Sequence, residues 1–291
     1  MDKFNNIGLI GREGNPQVVD TLLALVAFLR ARGSFLVLEQ KTAALISSDL
    51  PVCEREKLGA CCDLVIVVGG DGSMLGAARA LSVQNTPVLG INRGSLGFLT
   101  DIAPDEIETR VAEVLSGHYL REERFLLDVV LVRDGKEIAR ADALNEVVLH
   151  RGASLRMIEF ELYVDEHFVY SQHSDGLVIS TPTGSTAYAL SGGGPILHPS
   201  LDAMALVPML PHALSSRPIV VAGNSNVRVV LREYSGGQPE MSCDGQIHFA
   251  MQEGDMMQVQ KKPQKLQLIH PLTHNYYETC RTKLGWGSRL A

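Results

Sequence analysis

Five apolar residues, Leu64–Val68, run straight into Gly69-Gly70-Asp71-Gly72-Ser73, and a helical pattern over Met74–Leu81 follows at once. An unbroken apolar run of this length suits a strand buried on both faces of a parallel sheet. Ligands bind at the carboxyl ends of such strands. Glycines there let the backbone approach a phosphate, and the next helix offers free N–H groups and the positive end of its dipole.

The rest of the first 120 residues repeats the alternation of strand and helix. Ile7–Ile10, Phe35–Leu38 and Pro87–Ile91 read as short buried strands. Pro16 opens a helix whose apolar residues Val18, Leu22, Leu25, Val26 and Leu29 recur at helical spacing, and Gly33 ends it. Ile107, Val111, Val114 and Leu115 mark another helix, with Gly117 just past its end. This order implies a parallel sheet covered by helices.

Near residue 121 the period changes to two. Ile158, Phe160, Leu162 and Val164 alternate with Glu159, Glu161 and Tyr163, and Val227, Val229 and Leu231 alternate with Arg228 and Val230. The pairs Asp134-Gly135, Asp165-Glu166 and Gly236-Gly237 read as turns between strands. One helical stretch is expected at 202–210, and Tyr276–Leu284, which lacks strand alternation, reads as a helix. The expected fold is an α/β domain with a parallel sheet over 1–120, then a mostly antiparallel β domain over 121–270. The segment 271–291 is expected to return to the first domain.

Charge and cysteine content narrow the function classes. The formal net charge is −7 and no Lys/Arg-rich block occurs, which disfavours a nucleic-acid partner. Five cysteines, Cys53, Cys61, Cys62, Cys243 and Cys280, form no Cys-x-x-Cys pair, so reduced thiols are expected rather than a disulfide framework or zinc site. No stretch has the length of a membrane span and no signal-peptide pattern is seen. A cytoplasmic protein without a membrane partner is the expectation.

Asp71 is an awkward residue for plain phosphate binding, because its charge repels the anion. A carboxylate beside a phosphate and a hydroxyl can instead orient that hydroxyl and take its proton during phosphoryl transfer. The competing reading is a helix N-cap, for which Asp is favoured; the loop alone leaves both open. Gly-x-x-x-x-Gly-Lys-Ser/Thr is absent, and Gly8, Gly11 and Gly14 do not fit Gly-x-Gly-x-x-Gly. A P-loop enzyme and an ordinary dehydrogenase are therefore disfavoured.

Residues 175–199 form a second constellation, DGLVISTPTGSTAYALSGGGPILHP. Leu177–Ser180 reads as a strand, and Thr181–Ser191 is dense in hydroxyls and small residues. Such a loop can offer N–H groups, carbonyls and hydroxyls to a polar ligand, and Tyr188 could stack on a flat ring. An ordinary Ser/Thr turn with a Gly-rich bend is the alternative. Asn145-Glu146 could hold a ribose diol, or could be a strand entry with an exposed Glu.

These segments resemble the NAD kinase family over roughly residues 5 to 290. Val67–Ala78, VVGGDGSMLGAA, looks like that family's glycine motif, and Gly90–Thr100, GINRGSLGFLT, like the segment after it. Asn145-Glu146, Ser174-Asp175-Gly176 and Thr181–Ser191 match the remaining motifs in order. Lipid kinases and phosphofructokinases share the core of the glycine motif; TPTGSTAY is far more specific. The resemblance implies ATP-dependent phosphorylation of NAD to NADP, with Asp71 as general base on the 2′-hydroxyl of the adenosine ribose. It implies Gly72 against the same nucleotide, Phe98 by the adenine, and Asn145 and Glu146 on ribose hydroxyls. It places Asp175 at a base of the dinucleotide and Thr186, Ala187, Tyr188 and Ser191 along its pocket, with Arg156, His173 and Gln246 as further contacts. It also implies Mg²⁺ or another divalent cation arriving with ATP, no protein metal ligands, and a homodimer or homotetramer whose neighbouring subunit completes the pocket. Two positions depart from the pattern: His173 stands where close bacterial relatives often carry Arg, and Ser73 where some carry Asn.

Two rivals remain in view. A lipid kinase on the same glycine motif should show a membrane-binding stretch, and none is seen. A non-catalytic NAD-binding or NADP-sensing module would keep TPTGSTAY and have no need of Asp71.

Overall fold

The computed structural model describes residues 4–94, 97–153 and 156–286. Ser95 and Leu96 of the GINRGSLGFLT segment lie outside the described residues. The chain divides into two compact units, Met1–Glu123 with Gln264–Ala291, and Arg124–Pro263.

The first unit is built on a parallel sheet. Leu64–Gly69 lies at its centre, between Asn6–Gly11 and Pro87–Asn92. Phe35–Glu39 and the short Val52–Cys53 extend it on one side, and Gln267–Ile269 pairs with Pro87–Leu89 on the other. Every residue of Leu64–Gly69 is buried, which is why its sequence shows no alternation.

Helices cover this sheet as their apolar spacing dictates. Pro16–Ala31 starts at Asn15, whose side chain accepts from the Gln17 N–H, and buries Val18, Leu22, Leu25, Val26 and Leu29. Each such fully buried side chain is worth about 1.5–3 kcal/mol relative to exposure. Asp71–Leu81 buries Met74, Leu75, Ala77, Ala78 and Leu81. Tyr276–Leu284 is a helix as expected, capped by the Asn275 side chain and ended by Gly285 at φ 68°.

The second unit holds two antiparallel sheets. One runs His167–Ser174, Ile158–Val164, Val227–Tyr234 and the start of Met256–His270. The other runs Ile219–Ala222, Ala203–Met209, Gly176–Ser180, Glu146–His150, Glu240–Cys243 and Ile247–Ala250. Phe160, Leu162, Val229 and Leu231 of the first share one core with Val147, Leu149, Leu177 and Leu206 of the second. Asp134-Gly135 and Asp165-Glu166 both turn with positive φ, the backbone twist that two-residue hairpins prefer.

The stretch expected to be helical at 202–210 is a strand, Ala203–Met209. Its sequence, AMALVPM, shows no alternation because both faces are covered. Met204 and Leu206 enter the main core, while Ala205 and Val207 pack with Val148, Val178, Ala189 and Leu197 on the other side. An apolar run buried on both faces cannot be told from a buried helix by periodicity. Among the described residues no helix is long and apolar enough to cross a membrane.

Candidate active site

In the first unit the glycine loop follows the central strand. Gly70 occupies the N-cap position with extended backbone, and Asp71 is the first residue of the helix. The Asp71 carboxylate turns to another segment: Oδ2 accepts from the Phe98 N–H at 2.9 Å and Oδ1 from the Leu99 N–H at 3.0 Å. The Thr100 hydroxyl adds a longer contact to Oδ1 at 3.4 Å. This approach needs a glycine at 97, where a Cβ would come within 2.1 Å of Asp71 Oδ1. Gly70 and Gly72 differ, since a Cβ on either would meet no atom within 4 Å beyond its chain neighbours and its own helix backbone. Space is left beside the carboxylate that packing does not demand. The Phe98 ring lies 6.3 Å from that of Tyr276.

In the second unit a cavity of about 470 Å³ is lined by Glu146, His150, Arg151, Asp175, Tyr188 and Asp244, among others. Glu146 opens its strand, is 6% exposed, and has no hydrogen-bond partner on Oε2. Burial, reinforced by the neighbouring Asp244 charge and opposed by a hydrogen bond from the Tyr188 backbone N–H, pushes its carboxyl up to about 8. Asp175 pairs with Arg151 at 3.1 Å.

Asp244 organises one edge of this cavity. Its carboxylate accepts from the backbone N–H groups of Leu144, Asn145 and Glu146 at 3.0, 2.8 and 3.3 Å. Its own N–H donates to the Glu146 carbonyl at 2.9 Å. Asp244 sits at φ 52° and Gly245 at φ 61°, at the tip of the hairpin joining Glu240–Cys243 to Ile247–Ala250. The Asp-Gly pair after the alternating strand Glu240–Cys243 was the signal that could have singled it out. His150 and Arg151 were also missed, and nothing in their local sequence marks them.

The hydroxyl-rich segment divides into two parts. Thr181–Ser185 is buried, and its hydroxyls are taken up by the protein: Thr183 Oγ1 accepts from Nη1 of Arg124 at 3.2 Å. Thr181 Oγ1 donates to the Leu144 carbonyl at 2.6 Å and accepts from the Gly184 N–H at 3.1 Å. Ser185 Oγ donates to the Pro182 carbonyl and accepts from the Leu197 N–H. Gly184 presses on Asn145, whose carbonyl oxygen would lie 2.1 Å from an added Cβ. Thr186, Ala187, Tyr188 and Ser191 then turn outward, with Tyr188 48% exposed.

Of the residues expected to form a site, the structure brings Glu146, Asp175 and Tyr188 onto one cavity, with Asn145 joined to its rim through Asp244. Gln246 is exposed next to the lining residue Gly245. His173 lines a different depression with His212 and Arg217, and stands 3.9 Å from Glu159. Arg156 is exposed and contacts Ser235 at 3.4 Å. Asp71, Gly72 and Phe98 belong to the other unit.

Comparison with known proteins agrees across the chain. The family described as ATP-NAD kinase N-terminal domain matches residues 7–119, and ATP-NAD kinase C-terminal domain matches 144–271. A protein of Azotobacter vinelandii named NAD kinase is 63% identical over 291 residues, covering 100% of this chain and 99% of its own. One of Pseudomonas syringae pv. tomato with the same name is 61% identical, covering 100% and 98%. Among solved structures, yeast NADH kinase complexed with NADH superposes with a TM-score of 0.88 at 23% identity, covering 100% of this chain and 91% of that one. An NAD kinase from Archaeoglobus fulgidus in complex with ATP gives a TM-score of 0.72 at 23% identity, covering 96% and 97%. The chain belongs to the ATP-NAD kinase family and is an enzyme, a kinase.

Proposed function

We propose that the chain transfers the γ-phosphate of ATP to the 2′-hydroxyl of the adenosine ribose of NAD, giving NADP and ADP. The observation that carries this reading is the Asp71 carboxylate, fixed by two backbone N–H groups at the carboxyl end of the central strand. The hydroxyl oxygen attacks the γ-phosphorus, the bond to the β–γ bridging oxygen breaks, and the hydroxyl proton passes to Asp71. Each carboxylate oxygen has two lone pairs. The amides occupy one on each oxygen and the Thr100 hydroxyl approaches the second on Oδ1, so the second lone pair of Oδ2 stays available to the substrate hydroxyl. A positioned base of this kind contributes ~10²–10⁴-fold. The open sides of Gly70 and Gly72 leave room for the nucleotide phosphates, and Phe98 offers a ring to the adenine.

In the second unit, a cavity of about 470 Å³ suits part of a dinucleotide. Glu146, with its carboxyl pushed up to about 8, is largely protonated at neutral pH and donates a hydrogen bond to a ribose oxygen. Asn145 completes the diol contact, Asp175 accepts from a base, and Tyr188 stacks on a ring. Thr186, Ala187 and Ser191 border the same ligand and Gln246 contacts it from the exposed surface; Arg156 and His173, which lie off this cavity, are assigned to the ligand by likeness to the family alone. The assembly is a homodimer or homotetramer in the cytoplasm.

The nucleotide arrives as its magnesium complex. Among the described residues, the groups of three that could converge on an ion are Asp101, His270 and His274, and His150, Glu240 and His248. Both are histidine-rich and unsuited to a hard, oxygen-seeking ion, so the cation is carried by the ATP phosphates.

The test incubates purified protein with NAD, ATP and Mg²⁺ and reads NADP with an NADP-specific dehydrogenase. NADP formed only when all three are present supports the proposal. Tight NAD binding without NADP would turn the reading toward a sensing module.

A further inference from the structure

The segment that grips Asp71 is itself held from behind. Phe98 and Leu99 supply the two amides, and Thr100 the hydroxyl. The next residue, Asp101, accepts from Nδ1 of His270 and from Nδ1 of His274, the latter at 2.8 Å. The two imidazoles stack at 4.0 Å with 22° between their planes, so both reach one carboxylate oxygen from the same side. Nε2 of His270 faces Glu122 Oε2 at 3.3 Å. His270 is 2% exposed and thus spans two carboxylates inside the protein.

Backbone contacts make this segment stiff. The Asn92 N–H donates to the Ile102 carbonyl at 2.8 Å. Gly90 lies so close that a Cβ would come within 2.5 Å of the Leu99 carbonyl oxygen. A shift of Asp101 is therefore carried to Leu99 and Phe98 rather than absorbed between them.

We propose that Asp101, His270 and His274 are positioning residues for the reaction, whose hydrogen bonds hold residues 98–101 so that two amides aim the Asp71 carboxylate. The inference rests on the reading of Asp71 as the base. All groups concerned lie in the first unit.

Charge on His270 leaves Nδ1 donating to Asp101 and sets a protonated Nε2 facing Glu122 without a formed hydrogen bond. Burial disfavours that charge, but the hydrogen bonds and charges of Asp101 and Glu122 outweigh it and raise the imidazole above its ordinary value. On Asp101, burial works against ionisation, and the hydrogen bonds from His270 and His274 overcome it, holding the carboxyl well below the usual range. The other ionisable groups at hand are Glu106, Arg110 and Glu278, which line a cavity of about 270 Å³ with Asp101 and His274. When pH rises through the His270 value, the proton leaves Nε2, which has no hydrogen bond, while Nδ1–H stays on Asp101; the contact to Asp101 loses its charge assistance and the grip on Asp71 loosens.

The test compares Asp101→Asn, His274→Ala, His274→Asn and Asp71→Asn, each checked for folding by circular dichroism. Asp101→Asn and His274→Ala are expected to lower kcat about 10- to 100-fold, as small misplacements of a catalytic group do. KM for NAD and ATP should change much less than kcat, because the substituted side chains touch no substrate and Phe98 alone of the held segment does. His274→Asn keeps an N–H near the place of Nδ1 and should recover most of the loss. The wild-type kcat should decline on the alkaline side of its pH profile, and Asp101→Asn should lack that decline. Wild-type kcat in Asp101→Asn, or a lowered kcat with the alkaline decline intact, overturns the proposal. If Asp101→Asn does not fold, equal kcat in the two His274 variants overturns it. Near-normal turnover in Asp71→Asn would remove the base reading itself, whereas an inactive Asp71→Asn beside an unaffected Asp101→Asn removes only the positioning role.

Discussion

The two units treat their acidic groups in opposite ways. In the first, Asp71 has both oxygens held by backbone N–H groups, and the segment that supplies them is anchored by a second carboxylate. In the second, Glu146 is buried with one oxygen unpartnered and a like charge, Asp244, beside it. A carboxylate given donors is held in one orientation. One denied them keeps its proton and waits for a partner to supply the missing hydrogen bond. The first arrangement suits a base that must not move, and the second a group that recognises by donating.

Breaking the first arrangement should have the largest effect. Asp71→Asn keeps the shape but cannot accept a proton, and kcat is expected to fall ~10²–10⁴-fold. Calorimetry should find NAD affinity nearly unchanged; turnover close to normal would end the contrast drawn above.

Two glycine changes then separate the units. Gly97→Ala drives a methyl toward Asp71 Oδ1, and kcat should drop by about 10²-fold through misplacement. Gly184→Ala drives one toward the Asn145 carbonyl, and should cost about 1–3 kcal/mol of stability by overpacking, together with NAD affinity. Kinetics and thermal unfolding on the two variants should show these losses in different columns. A Gly97→Ala variant whose defect is mainly in KM for NAD would contradict the division.

Glu146→Gln probes the second arrangement through pH. The folded-state value of about 8 lies above the ordinary 4.5, so the folded protein holds the proton more tightly. Stability from this group is complete below 4.5 and is lost as pH rises toward about 8, by at most about 1.4 kcal/mol per pH unit. Gln carries no proton to lose, so the variant should gain on the wild type as pH rises through that window. Urea midpoints that change in parallel for both proteins would show that Glu146 is ionised. The smallest effect is expected from Tyr188→Ala, which gives up a stacking contact worth about 0.5–1.5 kcal/mol. Titration calorimetry with NAD checks it, and unchanged affinity would place Tyr188 outside the pocket.

Much of this was legible in the sequence where local pattern and burial coincide. The buried strand at Leu64–Gly69 and the helix at Pro16–Ala31 follow from apolar spacing, and the alternation over Ile158–Leu162 reports one covered face. The same logic fails at Ala203–Met209, whose second covered face depends on the Thr181–Ser191 segment and Leu197, distant in sequence. Motif density pointed to Thr181–Ser191 as a whole. Which of its hydroxyls are spent on the loop depends on Leu144 and Leu197, and no local reading supplies that. The partners of Asp71, Phe98 and Leu99, were hidden for a related reason: backbone N–H donors leave no side-chain signature.

The split of the chain also sets an order of assembly. Arg124–Pro263 is one continuous stretch, and all six strands of its second sheet lie within it. The first unit cannot finish its sheet until Gln267–Ile269 reaches Pro87–Leu89. Chains are made from the amino end and domains tend to fold as units. A growing chain therefore has its middle ready to fold while its beginning still waits for its last strand. His270 and His274 arrive with that strand, so the grip on Asp71 is among the final features to form. A chain cut off after Pro263 would keep the second unit's stretch intact, yet lack His270 and His274, the two imidazoles on Asp101.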